Sequence, residues 1–366
     1  MNKRSTLLLT VLVLGTATST PATEKSRWID ARCQPLATDR VGPFVELADK
    51  SLLTIDGNAT RTSKDDGRTW SDPRKIYDGP APGIPSGAAV MLKSSSGPIV
   101  LVYMDMSTYK WRWDAVKNEA APEARLDVWS IRSLDEGKTW VDRQRLLDGY
   151  CGALITMVQA VNGQIVVPVQ LMLDRNRHAT RTHVSSDDGR SWRMGNIIDL
   201  GGLWHHDGAM EATLAELYDG RMYMLIRTNL DRFWEAFSED KGLYWRTLRP
   251  SSIDASSAPG YLIRLKSGRL ALAWNRLCPE GQDTVRRSGG PDASETRASW
   301  HRAELALAFS SDDARTWTRP TVIVRQKGAG LSYPYIFERR PGELWITTRF
   351  STRIGLSLKE ADFVDK

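Results

Sequence analysis

Cysteine is scarce in this chain of 366 residues, which contains only Cys33, Cys151 and Cys278. Three thiols form at most one bridge and leave at least one thiol free, so a disulfide-stapled scaffold is excluded. A chain of this length can bury a core without such staples. We therefore expect a fold that is stabilised by an ordinary hydrophobic core.

Long apolar runs are nearly absent as well. Residues 7–14 form an apolar stretch that is far shorter than the roughly 20 residues of a membrane-spanning helix. Lys3 and Arg4 precede it and small residues follow it, which is the pattern of a secretory signal. We expect residues 1–22 to be a signal peptide and the protein to be exported, either periplasmic or secreted, with no membrane span in the mature chain. A membrane anchor is the alternative.

Clusters of basic residues are also missing, although the formal net charge is +6. Binding to nucleic acid requires Lys and Arg to be concentrated on one face, with aromatic residues among them. The scattered charges of this chain therefore argue against a nucleic-acid partner. A mild positive balance is compatible with an acidic substrate.

Tryptophan, in contrast, is abundant, with 14 residues. Five of them end a repeated motif, Ser-x-Asp-x-Gly-x-x-Trp, and the fifth copy carries Ala314 in place of Gly. In such a turn the Asp side chain accepts backbone N–H bonds and the Gly adopts a positive φ angle. We interpret these motifs as folding devices, so their aspartates are not catalytic candidates. The five copies begin at Ser63, Ser133, Ser185, Ser238 and Ser310.

Six tight hairpins alternate with these boxes along the chain. Each blade of a β-propeller is a four-stranded meander, which needs one hairpin and one further turn. The alternation predicts an all-β protein, a single six-bladed propeller of four-stranded antiparallel blades over residues 23–366, whose sixth box is lost where the last blade closes on an N-terminal strand. Two β-sandwiches are the alternative. The hairpin turns lie at Asp49, Gly97, Gly163, Gly220, Gly268 and Gly342.

This arrangement resembles the sialidase (neuraminidase) superfamily, whose members are six-bladed propellers with such Asp-box repeats. The resemblance covers nearly the whole chain after residue 22. It implies an exo-acting glycoside hydrolase that removes a terminal sialic acid or a related acidic sugar with retention, without a cofactor. Family enzymes use a Tyr nucleophile with a Glu as its base, an Asp as general acid, and three Arg residues that bind the substrate carboxylate.

Three residues match the central part of the family pattern. Glu211 begins one strand and Arg227 ends the next, on either side of the turn at Gly220. Antiparallel pairing brings both ends to the same rim of the propeller. Tyr333 follows Ser332 at a strand entrance and is the candidate nucleophile, with Glu211 as its base. Strand alternation predicts that Tyr335 points the same way.

The other two arginines match less closely. Arg40, in the segment Arg40-Val-Gly-Pro, resembles the first arginine of the family but has an inserted Gly. Arg302 is the candidate for the third, and Arg276 and Arg297 compete with it. We expect Arg40, Arg227 and Arg302 to bind the substrate carboxylate.

The general acid is where the sequence departs from the family. Asp56 is the only carboxylate outside a box in the short loop that precedes the first box, and a turn role before Gly57 is the alternative. The loop with His205, His206 and Asp207 offers another acid or a ligand for a substrate hydroxyl. We expect no metal site there, because no third ligand has suitable spacing.

Two other functions remain open from the sequence. The imperfect first arginine motif and the short acid loop also fit a non-catalytic, carbohydrate-binding propeller. A related propeller could act as a hydrolase or lyase on uronate-containing polysaccharides, and a His–Tyr pair at the centre would favour that function. The oligomeric state is not determined by the sequence.

Overall fold

The computed structural model describes residues 27–77, 89–204, 206–288 and 296–364. The segment 1–22 that we expect to be a signal peptide lies outside these residues. The described chain is built of β-strands, with two short 3-10 turns at Met106–Thr108 and Glu360–Asp362. No helix in the described ranges is long and apolar enough to cross a membrane.

The strands form six four-stranded antiparallel blades. Two short strands, β1 (Trp28–Ile29) and β2 (Gln34–Pro35), precede the first blade. Blade 1 contains β3 (Phe44–Glu46), β4 (Leu52–Asp56), β5 (Ala59–Ser63) and β6 (Arg74–Lys75). Blade 2 contains β7 (Ala89–Lys93), β8 (Ile99–Met104), β11 (Val128–Ser133) and β12 (Val141–Leu147), and the hairpin β9 (Trp113–Asp114) and β10 (Glu119–Ala120) is inserted in it. Blade 3 contains β13 (Val158–Gln159), β14 (Ile165–Leu173), β15 (Arg177–Ser185) and β16 (Arg193–Ile198).

The second half of the chain repeats this order. Blade 4 contains β17 (Met210–Glu216), β18 (Met222–Arg227), β19 (Arg232–Ser238) and β20 (Trp245–Asp254). Blade 5 contains β21 (Tyr261–Arg264), β22 (Leu270–Trp274), β25 (Glu304–Ser310) and β26 (Thr321–Arg325), and the hairpin β23 (Arg287–Ser288) and β24 (Ala298–Ser299) is inserted in it. Blade 6 contains β27 (Pro334–Arg340), β28 (Glu343–Thr348) and β29 (Ile354–Lys359).

The N-terminal strand β2 supplies the fourth strand of blade 6. Gln34 pairs with Ser357 of β29, so the first and last parts of the described chain share one sheet. Because this fourth strand is not joined to β29 by a turn, blade 6 has no box. The predicted six-bladed propeller is confirmed, including the loss of its sixth box. Strand β1 extends blade 5 by pairing with β26, which places Trp28 opposite Arg325.

Each box has the hydrogen bonds that its sequence predicts. In the second box Gly137 N–H donates to Ser133 Oγ at 2.8 Å, and Ser133 Oγ donates to Asp135 Oδ1 at 2.9 Å. Thr139 donates its N–H to Asp135 Oδ1 at 2.8 Å and its hydroxyl to Oδ2 at 2.6 Å. The fifth box keeps these contacts although Ala314 replaces the glycine, and Ala314 adopts a φ of 64°.

The boxes also join neighbouring blades, which the sequence did not reveal. A Cβ atom at Gly189 would lie 2.8 Å from Val100 Cγ1 in the preceding blade, so this glycine permits close packing as well as its φ of 78°. Trp192 of the same box donates its indole N–H to Ser130 Oγ of the preceding blade at 3.1 Å. The box is therefore a joint between blades as well as a turn.

A carboxylate bridges every blade to the hairpin of the blade before it. In four blades it is the residue before the box glycine or its Ala equivalent: Asp66, Glu136, Asp188 and Asp313. In blade 4 that position holds Lys241, and in blade 6 there is no box. In these two blades a glutamate of the first strand makes the contact instead. Glu216 of blade 4 accepts from Val161 N at 2.6 Å, and Glu338 of blade 6 accepts from Lys266 N at 2.8 Å.

The connections divide the ring into two faces. Hairpin turns and boxes lie on one side, which we call the box face. The links from the second to the third strand of each blade, and from each blade to the next, lie on the other side, which we call the site face. Two of these links are long insertions, residues 105–127 and residues 275–303, and of the second the structure describes 275–288 and 296–303. All three cysteines are free, and Cys33 and Cys151 are buried.

Candidate active site

A cavity of about 240 Å³ opens on the site face. Five of the six blades, or the links between them, contribute to its wall, which places it near the propeller axis. The lining residues are Tyr109, Trp111, Tyr150, Gly152, Gln170, His178, His206, Met210, Glu211, Arg227, Trp300, Arg302, Tyr333 and Phe350.

Glu211 and Arg227 form a buried ion pair at this cavity. The pairing of β17 with β18 shifts register between Met210 and Ala212, so Glu211 lies in a β-bulge. Bulges commonly redirect a side chain beside a site. Glu211 Oε2 accepts from Arg227 Nη1 at 2.5 Å, and both side chains are at most 5% exposed. As the sequence predicts, the two strand ends lie together at one rim.

Tyr333 completes a hydrogen-bonded trio with this pair. Its hydroxyl donates to Glu211 Oε1 at 2.6 Å, and Arg227 Nη1 donates to the phenol oxygen at 3.4 Å. Tyr333 has a φ of 56°, a left-handed conformation that costs a non-glycine residue about 1–2 kcal/mol. Tyr335 does not point the same way: it is buried, and its hydroxyl accepts from Phe44 N at 2.9 Å. Alternation fails here because Tyr333 precedes the strand.

The environment of Tyr333 keeps its phenol protonated. Burial, followed by the neighbouring Glu211 carboxylate, raises the pKa of Tyr333 well above its ordinary value. The hydrogen bond to Glu211 therefore points from the phenol to the carboxylate. Such a neutral tyrosine becomes a nucleophile only if a base accepts its proton, and Glu211 is in place to do so.

Arg302 lies beside Arg227, and the two share a support. Ser257 Oγ accepts from Arg227 Nη2 at 3.0 Å, and the Ser257 carbonyl accepts from Arg302 Nη2 at 2.8 Å. Burial, and then the charge of Arg227, lowers the pKa of Arg302 to about 10, so both guanidiniums stay charged at neutral pH. Its rival Arg276 bonds to Asp254 instead, and Arg297 does not line the cavity.

Arg40 and Asp56 do not line the cavity, and they bond to each other. Arg40 Nη1 lies 2.9 Å from Asp56 Oδ1, while Arg61 Nε lies 2.5 Å from Asp56 Oδ2. Burial opposes the shift, but these two arginines lower the pKa of Asp56 below its ordinary value. An aspartate held in this way is a poor proton donor.

The loop of His206 contributes one side chain to the cavity. His206 lies 5.6 Å from the Trp300 ring, centroid to centroid, in an edge-to-face contact. Asp207 is buried but does not line the cavity, and its Oδ1 accepts from Gly208 N at 2.9 Å. His205 lies outside the described residues.

Sequence reasoning missed Gln170, His178, Ser257 and Arg349. Gln170 Oε1 accepts from the backbone N–H of Glu211 at 3.1 Å. Arg349 is 5% exposed, its backbone N–H donates to the Tyr333 carbonyl at 3.1 Å, and no acceptor in the described chain bonds to its guanidinium.

A repeat register could have found two of these residues. Gln170, Arg227 and Arg349 stand at the same interval after the hairpin glycines Gly163, Gly220 and Gly342. In a propeller, equivalent positions of successive blades face the same axis. The ends of the second strands were therefore the places to search.

The cavity carries more positive than negative side chains. Glu211 is the only carboxylate among its described lining residues, and it is already bonded to Arg227 and Tyr333. Arg227 and Arg302 therefore leave a net positive field that suits an anionic group. Within the described ranges, no group of three or more His, Cys, Asp or Glu side chains could hold a metal ion.

Comparison with known proteins agrees with this architecture. The family model described as BNR repeat-like domain matches residues 58–346. No curated protein matches the sequence.

Several solved structures are similar in fold. A protein of unknown function from Dyadobacter fermentans has a TM-score of 0.59 at 16% identity, covering 90% of this chain and 98% of that one. The NanB sialidase of Streptococcus pneumoniae has a TM-score of 0.56 at 13% identity, covering 94% and 70%. Trypanosoma rangeli sialidase with the inhibitor DANA has a TM-score of 0.53 at 15% identity, covering 87% of this chain and 54% of that sialidase. At such identities the likeness shows the fold alone.

Proposed function

The chain belongs to the BNR repeat-like domain family and has a sialidase-like fold, and from this premise we propose that it is an exo-acting glycoside hydrolase. Its substrate would be a terminal sialic acid or a related acidic sugar, released with retention. The observation that carries the proposal is the trio of Tyr333, Glu211 and Arg227, hydrogen-bonded to one another at the axial cavity.

The chemistry follows from the donors and acceptors of the trio. Tyr333 Oη attacks the anomeric carbon while Glu211 Oε1 takes the phenol proton, and the bond to the leaving oxygen breaks. A glycosyl–tyrosine intermediate results. Water then attacks from the face that the leaving group vacated, opposite the tyrosine, and loses its proton to the group that protonated the leaving oxygen. Glu211 returns the phenol proton to Tyr333, and the two inversions together retain the configuration. A neutral phenol approaches a substrate carboxylate without the repulsion that an anionic nucleophile would meet.

Arg227 and Arg302 are proposed to bind the substrate carboxylate. Their guanidiniums lie side by side on Ser257, and guanidinium groups bind carboxylates with two parallel hydrogen bonds. Arg40 could join them only if its ion pair with Asp56 opened. For the proton donor to the leaving oxygen we propose His206, because it lines the cavity whereas Asp56 and Asp207 do not.

A second function is favoured by a different pair on the cavity wall. The rings of Tyr150 and His178 lie 6.2 Å apart, centroid to centroid, and both residues line the cavity. A His–Tyr pair of this kind can transfer protons on a uronate, whose carboxylate the same arginines would hold. A hydrolase or lyase for uronate-containing polysaccharides is therefore the alternative.

The test is release of a fluorogenic aglycone from a sialic acid conjugate and, in parallel, from a uronide. We expect release from the sialoside, and we expect Tyr333→Phe to lower kcat by about 10³-fold, since the variant has no nucleophilic oxygen. Tyr244→Phe is the matched control, because Tyr244 is 56% exposed on the box face and should retain full activity.

Each outcome separates the functions. Unchanged activity in Tyr333→Phe would remove the tyrosine mechanism. Release from the uronide alone would leave the fold and change the substrate class. Sugar binding without release from either compound would identify a non-catalytic propeller. We also propose export by residues 1–22, which the mass of the mature protein recovered from outside the inner membrane would test.

A further inference from the structure

A second and larger cavity adjoins the axial one. It has a volume of about 810 Å³ and lies on blade 5, between the insertion 275–303, the segment that follows β26, and Trp28 of β1. We call it the blade-5 cleft. Ligand sites commonly occupy roughly 300–1,000 Å³. The axial cavity of about 240 Å³ is below that range, so it suits a single sugar, while the cleft has room for several.

The two cavities share a wall. Trp300 lines both of them, His301 lines the cleft, and Arg302 lines the axial cavity. Trp300 is fixed at this boundary by the guanidinium of Arg302, 4.9 Å from its ring centroid, and by the edge of His206. A chain whose terminal sugar occupied the axial cavity could therefore continue past Trp300 into the cleft.

Among the charged side chains that line the cleft, cations predominate. Arg286, Arg287, Arg325 and Lys327 line it, against one carboxylate, that of Glu304. Arg287 and Arg325 are bonded to acidic partners, Asp231 and Glu280. Among the described residues Arg286 and Lys327 form no ion pair, and both are exposed. Arg286 belongs to the insertion and Lys327 to the segment that follows β26, so each of these two elements offers one cation that has no ion pair within the described residues.

Trp28 contributes an aromatic ring to the lining of the cleft. Trp28 is 44% exposed, and Arg325 lies 4.8 Å from its ring centroid, which holds the indole in place. Aromatic rings with a few placed polar groups are typical of ligand clefts. The blade-5 cleft, which shares Trp300 with the axial cavity, thus has two tryptophans and two cations that form no ion pair among the described residues.

We propose that the blade-5 cleft binds the part of the substrate beyond the scissile bond, and that this part is an oligosaccharide carrying anionic groups. Its charges, carboxylate or sulfate, would pair with Arg286 and Lys327, and its sugar rings would lie against Trp28 and Trp300. The inference deepens the proposed function and rests on it for the position of the scissile bond.

The test compares substrates that differ only beyond the terminal sugar. For the double variant Arg286→Ala with Lys327→Ala, we expect kcat/KM for a sialic acid dimer to fall about tenfold, because the one carboxylate beyond the scissile bond loses the cations that would pair with it. The fluorogenic monosialoside should be cleaved as by the unaltered protein. Adding salt should reduce the difference in kcat/KM for the dimer between the unaltered protein and the double variant, since exposed charges are screened.

Arg68→Ala with Lys138→Ala is the matched control. These two exposed cations form no ion pair in the described chain but lie on the box face, so every rate should be unchanged. Trp28→Ala should lower kcat/KM alike for the dimer and for sialyllactose, whose lactose part carries no charge. If the double variant of Arg286 and Lys327 lost kcat/KM equally on all substrates, or lost none on the dimer, the proposal would be overturned.

Binding measurements keep this test independent of catalysis. If no sialoside is cleaved, calorimetry with the unaltered protein should still detect a sialic acid dimer or a sulfated disaccharide, and the double variant should bind it about tenfold more weakly. Preference for one of the two ligands identifies the anionic group. If neither ligand bound, the proposed role of the blade-5 cleft would be wrong. Binding without cleavage would contradict only the proposed hydrolase activity.

Discussion

The two faces of this propeller are built on the same strands but in opposite ways. On the box face, a carboxylate contacts the hairpin of the preceding blade at every joint, and where Lys241 replaces the usual acid, Glu216 makes this contact. On the site face, neighbouring blades carry different residues at equivalent positions, such as Gln170 in blade 3 and Arg227 in blade 4. Residues that repeat from blade to blade therefore indicate how the ring is assembled, and residues that differ between blades indicate where the candidate site lies.

Blades 4 and 6 illustrate the second half of that statement. Glu211 and Arg227 occupy the facing ends of the first two strands of blade 4, and Tyr333 and Arg349 occupy the equivalent ends in blade 6. The same scaffold position thus supplies the candidate base in one blade and the candidate nucleophile in the other. The nearby guanidinium of Arg349, which has no acceptor in the described chain, adds positive charge on the Tyr333 side.

The largest expected effect comes from Arg227→Met. Loss of the guanidinium leaves the Glu211 carboxylate buried and without its charge partner, which costs about 3–5 kcal/mol in the free energy of unfolding. We also expect kcat/KM to fall by about 10²- to 10³-fold, because the charge proposed to bind the substrate carboxylate is gone. Urea unfolding and fluorogenic kinetics measure the two effects separately.

Arg339→Met is the matched control for that experiment. Arg339 is 8% exposed on the box face and pairs with Glu46 and Asp66, so its removal should also destabilise the fold. The folded fraction should keep its full kcat/KM. If both variants lost activity equally, the distinction between the two faces would not hold.

Substitutions at the box glycine position are expected to change the free energy of unfolding by a smaller amount, and in opposite directions in two blades. Gly189→Ala should destabilise the fold by about 1–3 kcal/mol, because the added Cβ meets Val100 and the φ of 78° is strained. Ala314→Gly should stabilise it by about 1 kcal/mol, because a φ of 64° is strained for Ala. Both are measured by urea unfolding, and neither should change kcat or KM. The same sign for both would contradict the joint described above.

The smallest effect is a pH dependence at the first box. Hydrogen bonds from the Thr69 hydroxyl and backbone N–H, and from Ser63, lower the pKa of Asp65 from 3.8 to about 2. A pKa that is lower in the folded state gives stability that is present above pH 4 and is lost as the pH falls toward 2. Below pH 4 the Tm of the unaltered protein should fall more steeply than that of Asp65→Asn. Parallel curves would show that this carboxylate does not contribute.

Much of the fold was predictable because it depends on local sequence. The Ser, Asp and Gly of each box and the hairpin turns act within a few residues, so spacing alone located the blades. Glu211, Arg227 and Tyr333 were found through the resemblance to the sialidase family, and the hairpin register placed Glu211 and Arg227 at one rim. The contacts between boxes and neighbouring blades were missed, since they join residues such as Gly189 and Val100 that are far apart in the chain.

The rest of the site depends on paths that periodicity does not determine. The left-handed conformation of Tyr333 breaks the alternation that would have placed Tyr335 beside it. The arginines around Asp56 keep Arg40 occupied, and a motif cannot reveal such competition between partners. The insertion 275–303 brings Trp300 to the cavity, although its sequence has no repeat from which a position could be read.

The pairing of β2 with β29 has a consequence for how the chain folds. Gln34 is synthesised before blade 1, but its partner Ser357 belongs to the last strand of blade 6. Blades 1 to 4 can form as they are translated, whereas the ring can close only after β29 has been released. Contacts of such large sequence separation are slow to form because of the entropy of loop closure. Closure is therefore expected to be the slow step of refolding, and the nascent propeller exposes an unpaired edge until then.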